Sequence, residues 1–389
     1  MFTLIKNIEI YSPEYLGKKD ILVCNDRIIE IEDEISYNLK NMKIIDGSGK
    51  ILTSGIIDQH IHITGGGGEG SFKTRVPEVN LSTLIKAGVT TTVGLLGTDS
   101  TTRSVENLVA KTKALKEEGV NAMCLTGAYS YPSPNITGSI KRDITFIDEI
   151  IGVKIAYSDH RSSALQVEEL ARIASEARLG GMLSGKPGIV TMHMGNGNSS
   201  INPVYEIIEK YDIPITHFRP THVGRKKELF YDCIEFNKKG GYIDITADDE
   251  GNIAPVSELL SILKDNDANL SKVTMTSDGN GSWSSYDSEG HLLKIGASPC
   301  DTVFRQITNL VKKGIFTLDE ALKFGTLNVA KGLGIDSVRG SIKPGYFADF
   351  LIINKDYNIE YVFINGEMMM ENGKVIRKGT FEDFSNITG

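Results

Sequence analysis

Cysteine is sparse in this chain of 389 residues, and the four present, Cys24, Cys124, Cys233 and Cys300, form no CxxC pair. That spacing argues against a thiolate zinc site and a dense disulfide framework, and fits a reducing cytoplasm. Positive charge is also short: 42 Lys and Arg face 50 Asp and Glu, a net charge of −8. Such a field repels polyanions, so neither nucleic acid nor an anionic membrane is an expected partner. No apolar run reaches membrane-spanning length, and the opening segment from Met1 to Tyr11 is too interrupted by polar residues for a signal peptide. Neither export nor anchoring is expected. No GxGxxG follows the first barrel-type strand candidate, which removes the dinucleotide fingerprint.

What is present is ordinary globular composition, 40% hydrophobic and 24% charged, enough for a sizeable core. Residues 1–54 are short apolar runs broken by turn signals such as Asn25-Asp26, and the same texture returns over 340–389 around Asn365-Gly366 and Asn372-Gly373. Two β-rich ends around a different middle predict one small β-sandwich domain assembled from both termini. The middle, 55–339, alternates apolar runs with amphipathic periodicity. Strands are predicted at 56–63, 90–97, 121–128, 152–158, 188–195, 215–223, 242–248 and 273–279, with helices such as 105–118, 167–182, 203–211 and 256–265 between them. Eight strands alternating with helices predict a parallel α/β sheet closed into a (β/α)8 TIM-like barrel, with a doubly wound open sheet as the alternative.

His60-Ile-His62 ends the first of these strands. Side chains alternate faces along a strand, so both imidazoles point the same way and can reach one metal ion. Alone, an HxH pair more often reports structural histidines. The strand's C-terminal end, where barrels carry their chemistry, raises its weight. His193 ends the fifth predicted strand, His222 the sixth and Asp278 the eighth, while Lys154 lies inside the fourth. Together they offer donors for two metal ions. An ammonium cannot ligate metal, and burying one in an apolar strand is costly. Either a nearby carboxylate pairs with Lys154, or its neutral amine takes up carbon dioxide as a carbamate.

The set formed by Gly55-Ile-Ile-Asp-Gln-His-Ile-His62, Gly65-Gly-Gly-Gly-Glu69, Gly94-Leu-Leu-Gly-Thr-Asp99, Leu125-Thr-Gly-Ala-Tyr129, Ile151-Gly-Val-Lys154, Ser158-Asp-His-Arg161, Pro220-Thr-His222 and Ser277-Asp-Gly-Asn-Gly-Ser282 resembles the amidohydrolase superfamily, and within it the isoaspartyl dipeptidases. The resemblance covers most of the chain. It implies two zinc ions per subunit: His60, His62 and Asp278 on one, His193 and His222 on the other, and N6-carboxylysine at Lys154 between them. It also implies β-aspartyl dipeptides as substrates, with Glu69 on the α-ammonium and Arg161, Arg225 and Ser282 on the carboxylates. Gly67, Gly68, Thr98 and Tyr129 match the remaining contact positions. A homo-oligomer, an octamer, is implied as well. Gly224 departs from the pattern, which has a larger residue there.

The expected chemistry is attack by a bridging hydroxide on the side-chain amide, with Tyr129 polarising the carbonyl and Asp278 as general base and acid. A cyclic-amide hydrolase of the hydantoinase or dihydroorotase kind would share barrel and metals, but such a substrate has no ammonium for Glu69. A catalytically inactive scaffold is the reading from another class. His160, His217 and His291 are read as structural, and the Gly- and Ser-rich stretch 280–298 as either a lid or a plain exposed loop.

Overall fold

The computed structural model describes residues 2–382 apart from 38, 250, 288 and 290. Residues 383–389 of the expected terminal domain, and two positions of the 280–298 stretch, lie outside the described residues. The N-terminal strands are β1 (Phe2–Tyr11), β2 (Tyr15–Cys24), β3 (Arg27–Glu32), β4 (Lys43–Asp46) and β5 (Ile51–Ser54). Gly55 then turns the chain directly into the barrel. A side chain there would drive its Cβ to 2.3 Å from the Thr90 hydroxyl, so only glycine allows the two sheets to join so closely.

The barrel strands are β6 (Ile56–Ile61), β7 (Val89–Gly94), β8 (Asn121–Gly127), β9 (Ile150–Tyr157), β10 (Ile189–Met194), β11 (Phe218–Thr221), β12 (Ile243–Thr246) and β13 (Val273–Thr276). They pair in parallel in sequence order. The ring closes where Ile61 bridges Gly279 and the His62 amide donates to the Gly279 carbonyl at 2.8 Å. All eight expected strands are present, and most are shorter than their apolar runs. The sixth is the clearest case: 3₁₀ turns at Ile215–His217 and Val223–Arg225 replace its two ends. Pro214 precedes one turn, and His222 in the left-handed region (φ 62°) begins the other. Helices keep the expected periods. Val105–Glu117 is capped by the Ser104 side chain, and Val167–Ser184 stops at Gly185 (φ 68°).

The 280–298 stretch, expected as either a lid or an exposed loop, contains an antiparallel hairpin of β14 (Ser282–Tyr286) and β15 (Leu292–Ala297) at the barrel mouth. The chain ends with β16 (Phe350–Ile353), β17 (Ile359–Ile364), β18 (Glu367–Glu371) and β19 (Lys374–Val375). Among the described residues these join the N-terminal strands in one mixed sheet, in the order β19-β18-β17-β16-β5-β1-β2-β3 with β4 also on β1. Both termini therefore build the second β unit, as the sequence texture predicts. Ile5, Ile8, Ile21, Leu52, Phe350 and Phe363 form its buried core, with the two phenyl rings stacked 4.5 Å apart. Phe350→Ala should cost about 3–5 kcal/mol, read as a lower midpoint in denaturant unfolding.

Candidate active site

The C-terminal strand ends hold the chemistry through unusual backbone. His222 (φ 62°) and Asp278 (φ 51°) both occupy the left-handed region, immediately beyond β11 and β13. Each such conformation costs of order 1–3 kcal/mol and is kept where surrounding structure enforces it. Asp58 supplies part of that enforcement: one carboxylate oxygen accepts the His60 amide at 3.0 Å and the other the Ser277 amide at 3.0 Å. It thus ties β6 to the segment that carries Asp278, and burial raises its own carboxyl to about 7. Space is left by glycine. A Cβ at Gly281 would lie 2.6 Å from Asp278 Oδ1, and one at Gly97 would lie 2.9 Å from His62 Cε1.

The predicted ligands converge. Asp278 Oδ1 is 3.3 Å from His60 Nε2 and 3.1 Å from His62 Nε2, and Oδ2 is 3.9 Å from His222 Nε2. His193 joins through its ring, 4.7 Å from that of His222. Donor atoms of His60, His222 and Asp278 all lie within 4.8 Å of one another. Burial, then nearby positive charge, holds His60, His193 and His222 well below the usual imidazole range, so they are neutral donors. Burial pushes Asp278 up, but His60, His62 and Arg225 outweigh it and keep its carboxyl well below the usual range.

Among the described residues, three buried polar atoms in this cluster have no hydrogen-bond partner: His62 Nδ1, His222 Nε2 and Asp278 Oδ1. Buried groups are normally satisfied, and the orphaned His222 and Asp278 atoms, grouped with the His60 ring, are what a divalent cation would saturate. Lys154 adds a second anomaly. It is wholly buried, its Nζ sits 3.2 Å from His60 Nε2, and among the described residues no carboxylate is ion-paired with it. The simple ion pair open at the sequence level is therefore not formed. Burial lowers the amine to about 7, against the opposing pull of Asp278 and Asp244.

Beside the ligands lies a polar pocket. Glu69 accepts from Ser282 Oγ at 2.9 and 3.0 Å, from Thr98 Oγ1 at 3.2 Å and from Arg161 Nη1 at 3.5 Å. Ser282 is thus spent on Glu69. Tyr129, buried with its hydroxyl on His193 Nδ1, has its pKa raised by desolvation and remains a proton donor. Arg225 Nη1 lies 3.0 Å from His193 Nε2. Gly67 and Gly68 need positive φ, and at Gly67 a Cβ would sit 2.2 Å from the Thr74 carbonyl. At Gly224 the missing side chain is explained by Asn252, whose Oδ1 would be 2.5 Å from a Cβ.

One prominent residue escaped the sequence reading. Asp159 grips Arg161 twice, at 3.0 Å through Nε and 3.0 Å through Nη2, and meets His193 Nε2 at 2.9 Å. Those bonds outweigh burial and keep its carboxyl far below the usual range. The available signal was its place in Ser158-Asp-His-Arg161. Of the other histidines, His160 is exposed at the rim, 3.6 Å from Asp159 Oδ1, while His217 bonds the Gly188 carbonyl and His291 meets Asp287.

Residues 51–369 match the Amidohydrolase family. A crystal structure of a beta-aspartyl dipeptidase from Fervidobacterium islandicum AW-1, in complex with a beta-Asp-Leu dipeptide, is 42% identical with a TM-score of 0.90, covering 96% of this chain and 98% of that one. An N-acetylglucosamine-6-phosphate deacetylase from Pasteurella multocida shares the fold at 19% identity and a TM-score of 0.68, covering 95% of this chain and 100% of that one. A dihydroorotase from Bacillus cytotoxicus is 25% identical, over 86% of this chain and 84% of its own. An adenine deaminase from Clostridium perfringens is 24% identical over 99% of this chain, which spans only 61% of that protein's length.

In metal-free protein, Lys154 loses its proton near pH 7 when folded but only near about 10.4 when unfolded. Between those values the unfolded chain binds the extra proton, so the contribution of Lys154 to stability should rise with pH across that window and be constant below it. Lys154→Met should flatten the rise in thermal midpoint between pH 7 and about 10. Equal slopes in the two proteins would contradict the assignment.

Proposed function

Because the chain belongs to the amidohydrolase family, we propose that it is a two-zinc dipeptidase hydrolysing the side-chain amide bond of β-aspartyl dipeptides. The observation that carries this reading is the juxtaposition of orphaned metal donors with a Glu69, Arg161 and Arg225 pocket, charged with both signs, at one barrel mouth. Similarity to a dipeptidase crystallised with beta-Asp-Leu supports it.

His60, His62 and Asp278 would hold one cation, His193 and His222 the other. Carboxylation of Lys154 would join its neutral amine to carbon dioxide with loss of one proton, and the singly charged carbamate would supply oxygen ligands to the cations. When bound, the cations lower the pKa of water toward about 7 and polarise the scissile carbonyl. Asp278, held ionised, accepts the proton of the attacking water and delivers it to the departing amine nitrogen. Tyr129, held protonated, donates to the carbonyl oxygen as negative charge develops there. Glu69, steadied by Ser282 and Thr98, receives the substrate α-ammonium. Arg225 and Arg161 hold the carboxylates, and Asp159 fixes the fork of Arg161. Gly67 and Gly68 bring backbone up to the substrate. Assembly into a homo-oligomer belongs to the same reading.

The test offers β-aspartyl-leucine, α-aspartyl-leucine and dihydroorotate to zinc- and bicarbonate-loaded protein. Turnover of the first alone is expected. Faster turnover of dihydroorotate would favour a cyclic-amide hydrolase, and none of the three, with no zinc uptake, an inactive scaffold. Asp278→Asn should lose at least about 10²-fold in kcat. Glu69→Gln should lose about 10- to 100-fold in kcat/KM for the β-aspartyl substrate by removing a charge-assisted bond.

A further inference from the structure

Beneath the metal donors, facing the barrel interior, lies a second buried network that no step above uses. Its centre is Asp244 on β12, which is wholly buried. Oδ2 accepts from the hydroxyls of Thr221 at 2.7 Å and Thr276 at 2.6 Å; Oδ1 accepts from Thr274 at 2.7 Å. Three hydroxyl protons are thus committed to one carboxylate. Thr221 Oγ1 also lies 3.4 Å from His60 Nδ1. Since the only proton of that hydroxyl goes to Asp244, its oxygen can only accept, and His60 Nδ1 must carry the ring proton. The lone pair is then left on Nε2, the atom that faces Lys154 Nζ at 3.2 Å and Asp278 Oδ1 at 3.3 Å.

A neighbouring ring shows the same device. His222 Nδ1 meets the Thr246 hydroxyl at 2.6 Å, while its Nε2 is one of the orphaned atoms. In both rings a threonine hydroxyl from a barrel strand occupies Nδ1 and leaves Nε2 for the cluster.

We propose that Asp244 and Thr221 form a positioning relay that fixes the tautomer and angle of His60, and so sets the affinity for the cation this histidine holds. The proposal rests on the two-metal reading above. Partners behind a ligating histidine typically contribute about 10- to 100-fold in metal affinity. Neither residue touches substrate, and their effect reaches the chemistry only through His60.

Two nearly isosteric variants separate positioning from mere stability. Thr221→Val removes the hydroxyl between Asp244 and His60. Thr274→Val removes a hydroxyl from the same carboxylate without touching His60. Each protein, loaded with zinc, is titrated with a competing chromogenic chelator, and its thermal midpoint is measured in parallel. Thr221→Val should weaken one of two zinc sites by about 10- to 100-fold, Thr221→Ser should restore it, and Thr274→Val should lower the midpoint while leaving zinc affinity within about twofold of wild type. Unchanged zinc affinity in Thr221→Val, or an equal loss in Thr274→Val, overturns the relay while the metal centre stands. Wild-type protein that binds no zinc overturns the metal centre itself, and the relay with it.

Discussion

Desolvation of charge is the constraint on which this molecule is organised. Lys154, Asp278 and the four histidines His60, His62, His193 and His222 are buried together at one end of a barrel, where unpaired ionisable groups are costly. Proteins of this size have only about 5–15 kcal/mol of net stability, so such a cluster survives only if something compensates it. Among the described residues the compensation is incomplete: Lys154 has no carboxylate ion-paired with it, and three buried polar atoms are unsatisfied. A pair of cations and a carbamate would remove both deficits at once, since the carbamate converts a buried cation into an anion between two positive ions.

The rest of the architecture serves that end. Short parallel strands stop early, so the ligands beyond them are set by left-handed backbone at His222 and Asp278 and not by strand geometry. Asp58 locks the first and last strands beneath the cluster through backbone amides, and Asp244 gathers hydroxyls from β11 and β13. The terminal sheet is joined to the barrel through Gly55 in the chain's first pass, and again where Asn121 at the start of β8 donates to the Asp349 carboxylate beside β16. Positioning is therefore built from the floor of the barrel upward, while the polar pocket around Glu69 is built from loops.

That division explains what could be read from residues alone. HxH was legible because strand alternation is a local property, and eight apolar runs were legible because a strand buried on both faces is continuous in sequence. Strand ends were not, since proline and left-handed residues end β11 sooner than its hydrophobicity does. The bond between the Ser282 hydroxyl and Glu69 was not legible either, since it joins residues far apart in the chain across the mouth. Asp159 went unread because its role depends on a loop fold that brings Arg161 and His193 together. The hairpin at 282–297 was obscured by polar composition: it is held by ladder bonds and by Trp283, whose ring fills the space that a side chain at Gly296 would need.

The most direct test is anomalous diffraction at the zinc absorption edge, on crystals grown with zinc and bicarbonate. Two peaks should flank the Lys154 side chain, with added density on Nζ extending towards both. A bare lysine with no peak between His60 and His193 would contradict the claim that cations hold this cluster together.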